Sequence, residues 1–286
     1  MRVRATILGC GSSGGVPRVG GADGRGDWGV CDPSNPKNRR RRCSLLVQRA
    51  HDTNGWEGEL TTVLIDTSPD LREQLLGAAV NHLDGVFITH DHADQTHGID
   101  DLRGLVYRNG KRVPVHFSDQ TAPNLMQRFA YCFQSSAKTG YPAILDSHRI
   151  APGAPVTVSG PSGDIVVEAA LLDHGRVPAF GYKLSVPEQA QGGIAYSPDT
   201  NGVPDTAMAL FTGVDVWVVD ALRREPHPSH AHLAMALEWL VRADASRGVL
   251  TNLHIDLDYE ELAAELPENV VPAYDGLCIE VPQQGD

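Results

Sequence analysis

Thr89-His90-Asp91-His92-Ala93-Asp94-Gln95-Thr96-His97-Gly98 is the stretch on which the reading of this chain turns. It begins where a short apolar run, residues 84–89 (DGVFIT), comes to an end. A run that short, rich in branched and aromatic residues, predicts a buried strand. His90 and His92 stand two apart at its exit, and in an extended turn that spacing aims both imidazoles to one side. Two neutral imidazoles with carboxylates nearby make a ligand set for zinc, manganese or iron. Asp94 stands where the turn becomes a helix, so it reaches a neighbouring position rather than the same ion. Taken alone, the segment also fits a polar loop bearing surface histidines.

Other His and Asp residues fall in the same kind of place. His174 follows a predicted strand at 165–172, and Asp199 follows one at 192–196. An Asp at a strand end suits bridging, because each oxygen can take one ion. Asp220 ends the strand at 215–220; His227, His230 and His232 cluster before a helix; Asn252 and His254 follow the strand at 247–251. Active sites gather at strand ends and loops, and a random scatter of histidines would not return there repeatedly. His51, His82, His116 and His148 lack such partners and read as structural. His97 orients a ligand, caps the following helix or binds metal directly.

Working outward, strands are predicted at 3–9, 43–49, 61–66, 84–89 and 113–117, with helices at 70–76, 98–107 and 120–133. From about residue 150 the grammar repeats. Strands are predicted at 155–158, 165–172, 180–185, 192–196, 215–220, 247–251 and 277–281, and helices at 203–211, 230–242 and 259–265. Strands dominate each half and helices follow them. The expectation is an α/β (α+β) fold, a four-layer αββα sandwich. With no linker in sight, residues 1–286 read as one domain built of two similar halves, about 1–150 and 151–286. Residues 16–42, rich in Gly, Pro, Asn, Asp and Arg, read as a long ordered loop.

The bulk numbers fit. The 286 residues are 41% hydrophobic, enough for a substantial core. A net charge of −12 argues against a nucleic-acid polymer as partner. It leaves a small anionic substrate open, because a metal ion can set the sign of the local field. Arg39–Arg42 form the one basic run. It is either a solvated turn or a positive rim beside the site, which makes Arg41 a substrate-binding candidate together with His232. The five cysteines are scattered and no pair has zinc-knuckle spacing, so a reduced, cytoplasmic protein is expected. The N-terminal apolar run is too short for a signal peptide, and no stretch approaches the roughly 20 apolar residues that cross a bilayer. A monomer and a homodimer both stay open.

The same residues resemble the metallo-β-lactamase superfamily, whose signature is His-x-His-x-Asp-His. Within it, the chain is most similar to the branch of the phosphoribosyl cyclic phosphate phosphodiesterases (PhnP). The stretches that carry this are Leu8–Pro17 (LGCGSSGGVP), Asn38–Ser44 (NRRRRCS), His97–Arg103 (HGIDDLR) and Ala273–Gly276 (AYDG). The resemblance implies that His90, His92 and His174 hold a first metal. It implies that Asp199 bridges to a second, which Asp94 also binds, and that His230 is the catalytic histidine. Three departures stand out. Gln95 occupies the signature's last histidine. The branch's closing Thr-His-x-Ser-His reads Thr251-Asn252-Leu253-His254-Ile255. Relatives can also carry a Cys-x-Cys-x-x-Cys structural zinc site, of which only Cys31 remains here. The expectations are therefore one or two divalent ions (zinc or manganese), His254 as a substitute ligand, and no structural zinc.

The implied chemistry is hydrolysis of a small cyclic phosphate or nucleotide-like phosphodiester. A bound metal lowers the pKa of water toward about 7. Asp94 or Asp199 orients that water, and His230 assists the leaving oxygen. Two alternatives remain: thioester hydrolysis on the same fold, and a non-catalytic metal- or nucleotide-binding relative, which Gln95 and Asn252 would favour.

Overall fold

The computed structural model describes residues 2–51, 55–135, 140–189 and 191–281. The first sheet is built from β1 (Arg2–Gly9), β2 (Ser44–Ala50), β3 (Leu60–Ile65), β4 (Gly85–Phe87), β5 (Val113–Phe117) and β6 (Leu145–Arg149), side by side in chain order. β1 to β3 run antiparallel, and β3 to β6 run parallel. β2 and β3 are buried along their whole length, the pattern of strands covered on both faces.

The second sheet mirrors the first. It holds β7 (Val156–Val158), β8 (Ile165–Leu172), β9 (Ala179–Ser185), β10 (Ile194–Ser197), β11 (Val216–Asp220), β12 (Arg247–Thr251) and β13 (Val270–Pro272), again in order. Its antiparallel part comes first, and β10 to β13 run parallel. After this whole sheet, β14 (Cys278–Val281) returns to pair antiparallel with β1.

Helices α1 (Leu71–Gly77), α2 (Ala93–Thr96), α3 (Arg103–Asn109) and α4 (Ala122–Phe133) belong to the first half. α5 (Asp205–Phe211), α6 (Leu233–Arg242) and α7 (Tyr259–Glu265) belong to the second. Three apolar layers result. Ile7, Val47, Val63 and Phe87 meet Val167, Tyr182, Tyr196 and Val218 between the sheets. Leu46, Leu64 and Val86 pack outward with Leu71, Val106 and Leu125 of the first-half helices. Trp217, Val219 and Leu250 pack outward with Phe211, Trp239 and Leu262 of the second-half helices. This is the expected αββα sandwich.

Three local differences matter. The predicted helix at 98–107 is a 3-10 turn, Ile99–Leu102, followed by α3. β6 and β13 were not anticipated. α6 starts at Leu233 rather than 230, so His230 lies in the loop ahead of the helix and His232 is its N-cap.

The Gly-rich loop after β1 lies backbone to backbone on residues 40–42. A Cβ at Gly9 would stand 2.0 Å from the Arg42 carbonyl oxygen, and one at Gly11 would stand 2.8 Å from that of Arg40. The basic run is taken up by the fold. Arg39 lies over the Trp28 ring at 5.1 Å. Arg41 Nε is 2.9 Å from Asp275 Oδ2, and Arg42 Nε is 3.0 Å from Asp70 Oδ2. Arg40 is buried. It donates to the carbonyl oxygens of His254 (3.2 Å) and Leu257 (2.7 Å) and to Asn38 Oδ1 (3.1 Å). It thus ties the early loop to the loop after β12. Beside it Cys31 packs with Val16 and Ile255, and the Cys31 thiol donates to the Leu257 carbonyl at 3.4 Å. The Arg39–Arg42 stretch is therefore a structural clamp, and the candidate Arg41 is held by an ion pair within the fold.

Candidate metal centre

The functional residues sit where strands of both sheets end and the facing loops converge, the usual place for ligands in α/β sheets. β4 delivers the 89–92 turn. Ile88 N–H still bonds the His116 carbonyl oxygen at 2.9 Å, so the turn leaves a strand that is fixed on its neighbour.

His90, His92 and His174 converge. One ring nitrogen of each lies within 4.8 Å of the others. The ring centroids of His90 stand 4.4 Å from His92 and 4.8 Å from His174. His174 Nδ1 lies 2.7 Å from the Ser229 carbonyl oxygen, so Nδ1 carries the proton and donates it. Nε2 is left with its lone pair, 3.4 Å from His92 Nδ1. Burial, with the neighbouring imidazoles of His174, His92 and His230, pushes the His90 pKa well below its ordinary value. Burial and the adjoining His230 lower His174 to about 4. Neutral imidazoles are the form that binds metal.

His90 is fully buried, and its Nε2 has no hydrogen-bond partner among the described residues. A buried polar atom without a partner costs about 1–3 kcal/mol. A divalent ion at the centre of the three imidazoles removes that cost, and three histidines are a proven donor set for zinc. The residues present therefore fit a metal ion.

Behind His90 stands a support that the sequence did not reveal. Asp66, just past β3, is buried at a left-handed backbone position, φ 65°. Its carboxylate accepts from Thr89 N–H at 2.8 Å and from the Thr89 hydroxyl at 3.0 Å. Thr89 Oγ1 in turn lies 3.0 Å from His90 Nδ1. Such outer partners fix ring orientation and raise ligand basicity.

A second group, His174, Asp199 and His230, adjoins the first. His230 Nδ1 is 2.9 Å from Asp220 Oδ2 and 3.7 Å from Asp199 Oδ1. Burial opposes charge on His230. The hydrogen bond to Asp220 and the carboxylates of Asp220, Asp199 and Asp94 outweigh it and raise the pKa to about 9. Burial and the Asp94 charge push the Asp199 pKa well up.

The two amides that replace expected histidines are engaged with these carboxylates. Gln95 Nε2 donates to Asp199 Oδ2 at 3.0 Å and to Asp94 Oδ2 at 3.4 Å. Asn252 Nδ2 donates to Asp220 Oδ1 at 3.1 Å and to Asp199 Oδ1 at 3.5 Å. Asn252 holds φ 60°, a left-handed conformation that asparagine tolerates better than histidine. Asp94 therefore lies beside the second group, joined to Asp199 through Gln95. His254 is in neither group; its Nδ1 is 2.7 Å from Asp256 Oδ2. His97 turns away to meet the Phe129 ring edge-on at 5.4 Å.

Next to the metal ligands is a cleft of about 360 Å³. Asp91, His92, Gln120, Asn124, Arg128 and Arg176 are among the residues that line it. The larger cleft of about 700 Å³, lined by Arg4, Gln48 and Trp56 among others, contains none of the metal-site residues.

A model of the β-lactamase superfamily domain matches residues 61–255, more than half of the chain and all of the site. A solved structure described as a new diphosphatase from the PhnP family matches with TM-score 0.81 and 32% identity, covering 98% of this chain and 97% of that one. The chain belongs to the PhnP family of the β-lactamase superfamily. This PhnP-family protein is a hydrolase of that superfamily. It is also 30% identical, over 99% of its length, to the octanoyltransferase of Porphyromonas gingivalis (strain ATCC BAA-308 / W83). It spans about half of that relative, 52%. Human tRNase Z, short form, shares the fold at 16% identity, with TM-score 0.64 over 98% of this chain and 100% of that one. No helix of the described residues in this PhnP-family protein is long and apolar enough to cross a membrane.

Proposed function

We propose that this protein is a metal-dependent phosphodiesterase acting on a small cyclic phosphate or nucleotide-like diester. The observation that carries this reading is the convergence of His90, His92 and His174 beside the His230–Asp220 pair. A PhnP-family diphosphatase at 32% identity supports phosphoester chemistry. A divalent ion held by the three imidazoles supplies Lewis-acid polarisation of a phosphoryl oxygen and an activated water. Asp94 and Asp199, beside the three imidazoles, would orient the attacking water. His230, held by Asp220, delivers a proton to the departing oxygen.

The donor set favours one ion, zinc ahead of manganese. Three imidazoles suit zinc, while Gln95 and Asn252 turn N–H groups, not lone pairs, toward Asp199. The substrate is small rather than a nucleic-acid polymer, in keeping with the net charge of −12. Five free cysteines, four of them buried, favour a reducing, cytoplasmic setting.

Acyl-thioester hydrolysis is the competing reading, prompted by the octanoyltransferase relative. The cleft beside His92 argues against it, because guanidinium and amide groups wall it. Hydrolysis of bis-p-nitrophenyl phosphate by zinc-loaded protein, compared with cleavage of an octanoyl thioester, tests the choice. We expect turnover of the diester that is lost on chelation and in His90→Ala. Thioester cleavage with an inert diester would reverse the assignment.

A further inference from the structure

The cleft of about 700 Å³ shares no residue with the metal centre, and its groups have no part in the chemistry proposed there. It lies on the outer face of the first sheet. Leu46 and Leu64 pack outward onto the first-half helices, and Gln48 and Thr62 stand two residues from them on the same face. Arg4 of β1 and residues 78–82, which follow α1, line the same space.

Arg4 is held ready for a partner that the fold does not supply. Its Nε and Nη2 both donate to Gln48 Oε1, at 3.0 and 2.8 Å, and its Cζ lies 4.2 Å from the centre of the Trp56 ring. Trp56 is anchored in turn, with Nε1 donating to Glu280 Oε1 at 2.9 Å. Yet Arg4 has no carboxylate partner among the described residues, in a chain with 36 acidic side chains against 24 basic ones. Gln48 is only 6% exposed. Its Oε1 is taken by Arg4, and its Nε2 donates to nothing among the described residues. A buried donor left unpaired is costly, so such groups normally have an acceptor. One carboxylate seated here would meet both the guanidinium and the amide.

The same cleft carries the opposite charge. Glu57 and Glu59 line it, and neither has an ion pair among the described residues. A phosphate or a dicarboxylate would meet Arg4 but face two carboxylates. A polyamine would meet the carboxylates but face Arg4. A zwitterion answers both signs at once. Leu60, Val80 and Pro161 add apolar surface, and the volume is in the range of small-molecule sites.

We propose that this cleft binds a free α-amino acid with an apolar side chain. Its carboxylate is taken by Arg4 and Gln48, its ammonium by Glu57 or Glu59, and its side chain by the apolar wall. The site is separate from the metal centre and does not depend on the phosphodiesterase reading.

Calorimetric titration of the zinc-loaded protein with L-phenylalanine and with L-leucine tests this. At least one should bind, one per chain, with a Kd of about 1 mM or tighter. The N-acetyl form of the binder lacks the ammonium and its amide lacks the carboxylate; each should bind at least about tenfold more weakly. Gln48→Glu gives Arg4 a carboxylate inside the fold with almost no change of shape. It should weaken binding at least about tenfold while the melting temperature does not fall. Glu57→Gln combined with Glu59→Gln should weaken it as well. No heat from either amino acid up to about 10 mM would overturn the proposal. So would equal affinity in Gln48→Glu and wild-type protein, which would place the binding elsewhere. Binding of the N-acetyl form or of inorganic phosphate as tightly as the free amino acid would make this a plain anion site, and the proposal would fail.

Discussion

Asp220 Oδ2 stands 2.9 Å from His230 Nδ1, and both hang from β11 and the loop that follows it. The carboxylate holds the ring so that Nε2 is the nitrogen left for substrate. His230→Ala should lower turnover of a phosphodiester by roughly 10²–10⁴. Asp220→Asn keeps the ring but loosens its orientation, so a smaller loss of about 10–100-fold is expected. Steady-state kinetics on both variants checks the order; a larger loss for Asp220→Asn than for His230→Ala would contradict it.

Metal content follows from the amides. Zinc-loaded, dialysed protein should carry one equivalent of zinc per chain by mass spectrometry, and His90→Ala should carry none. Exchanging both amides in Gln95→His with Asn252→His removes two N–H donors from Asp199 and supplies two imidazoles. That variant should bind two equivalents. Two equivalents in the wild-type protein would refute the single-ion reading.

Stability should respond to acid through His116. This ring lies between Phe87 (centroids 4.5 Å apart, 12° between planes) and His148 (4.9 Å, 23°). Burial, assisted by His148, lowers its pKa from 6.5 to about 4. The unfolded chain therefore takes up the proton first as pH falls. Above about pH 6.5 His116 contributes no pH dependence; between 6.5 and 4 it destabilises the fold by up to about 3 kcal/mol, and below 4 the loss levels off. Urea unfolding from pH 7 to pH 4 should show a shallower decline in His116→Phe than in wild-type protein. Parallel curves for the two would remove His116 from the account.

Arg40 should matter to stability more than any other member of the basic run. Arg40→Met leaves the carbonyl oxygens of His254 and Leu257 without their donor in a buried place, and a loss of about 2–4 kcal/mol is expected. Arg39→Ala, which removes one cation–ring contact, should cost about 0.5–1 kcal/mol. Chemical denaturation of the two variants gives the comparison, and similar losses would show that Arg40 is no clamp.

Much of the site was legible because its signals are local. The His90–His92 turn follows an apolar strand directly, and His174, Asp199 and Asp220 each end or follow a strand of clear pattern. Gln95 and Asn252 were visible as departures, but not what they do, since their partners lie far away in sequence. Asp66 looked like an ordinary strand end; its role exists only through Thr89 on the next strand. Arg128 and Arg176 carry no pattern at all, because a helix face and a loop from the other half bring them to one cleft. In the fold, β6 escaped notice because its sequence, LDSHR, is polar and largely exposed at a sheet edge. β13 is three residues long and ends in proline. The Arg39–Arg42 run misled through charge, since solvated and structural arginines look alike until Asp70 and Asp275 are placed beside them.

β14 pairs with β1 only after the chain has laid down the entire second sheet. During synthesis on a ribosome, the outer edge of β1 therefore stays open until residues 278–281 have emerged. An open edge is a template for pairing with another chain. Until then Arg2 stands on that edge without Glu280, its partner at 2.9 Å in the finished sheet. Nascent chains halted before residue 278 should be the species that chaperones hold and that aggregates recruit.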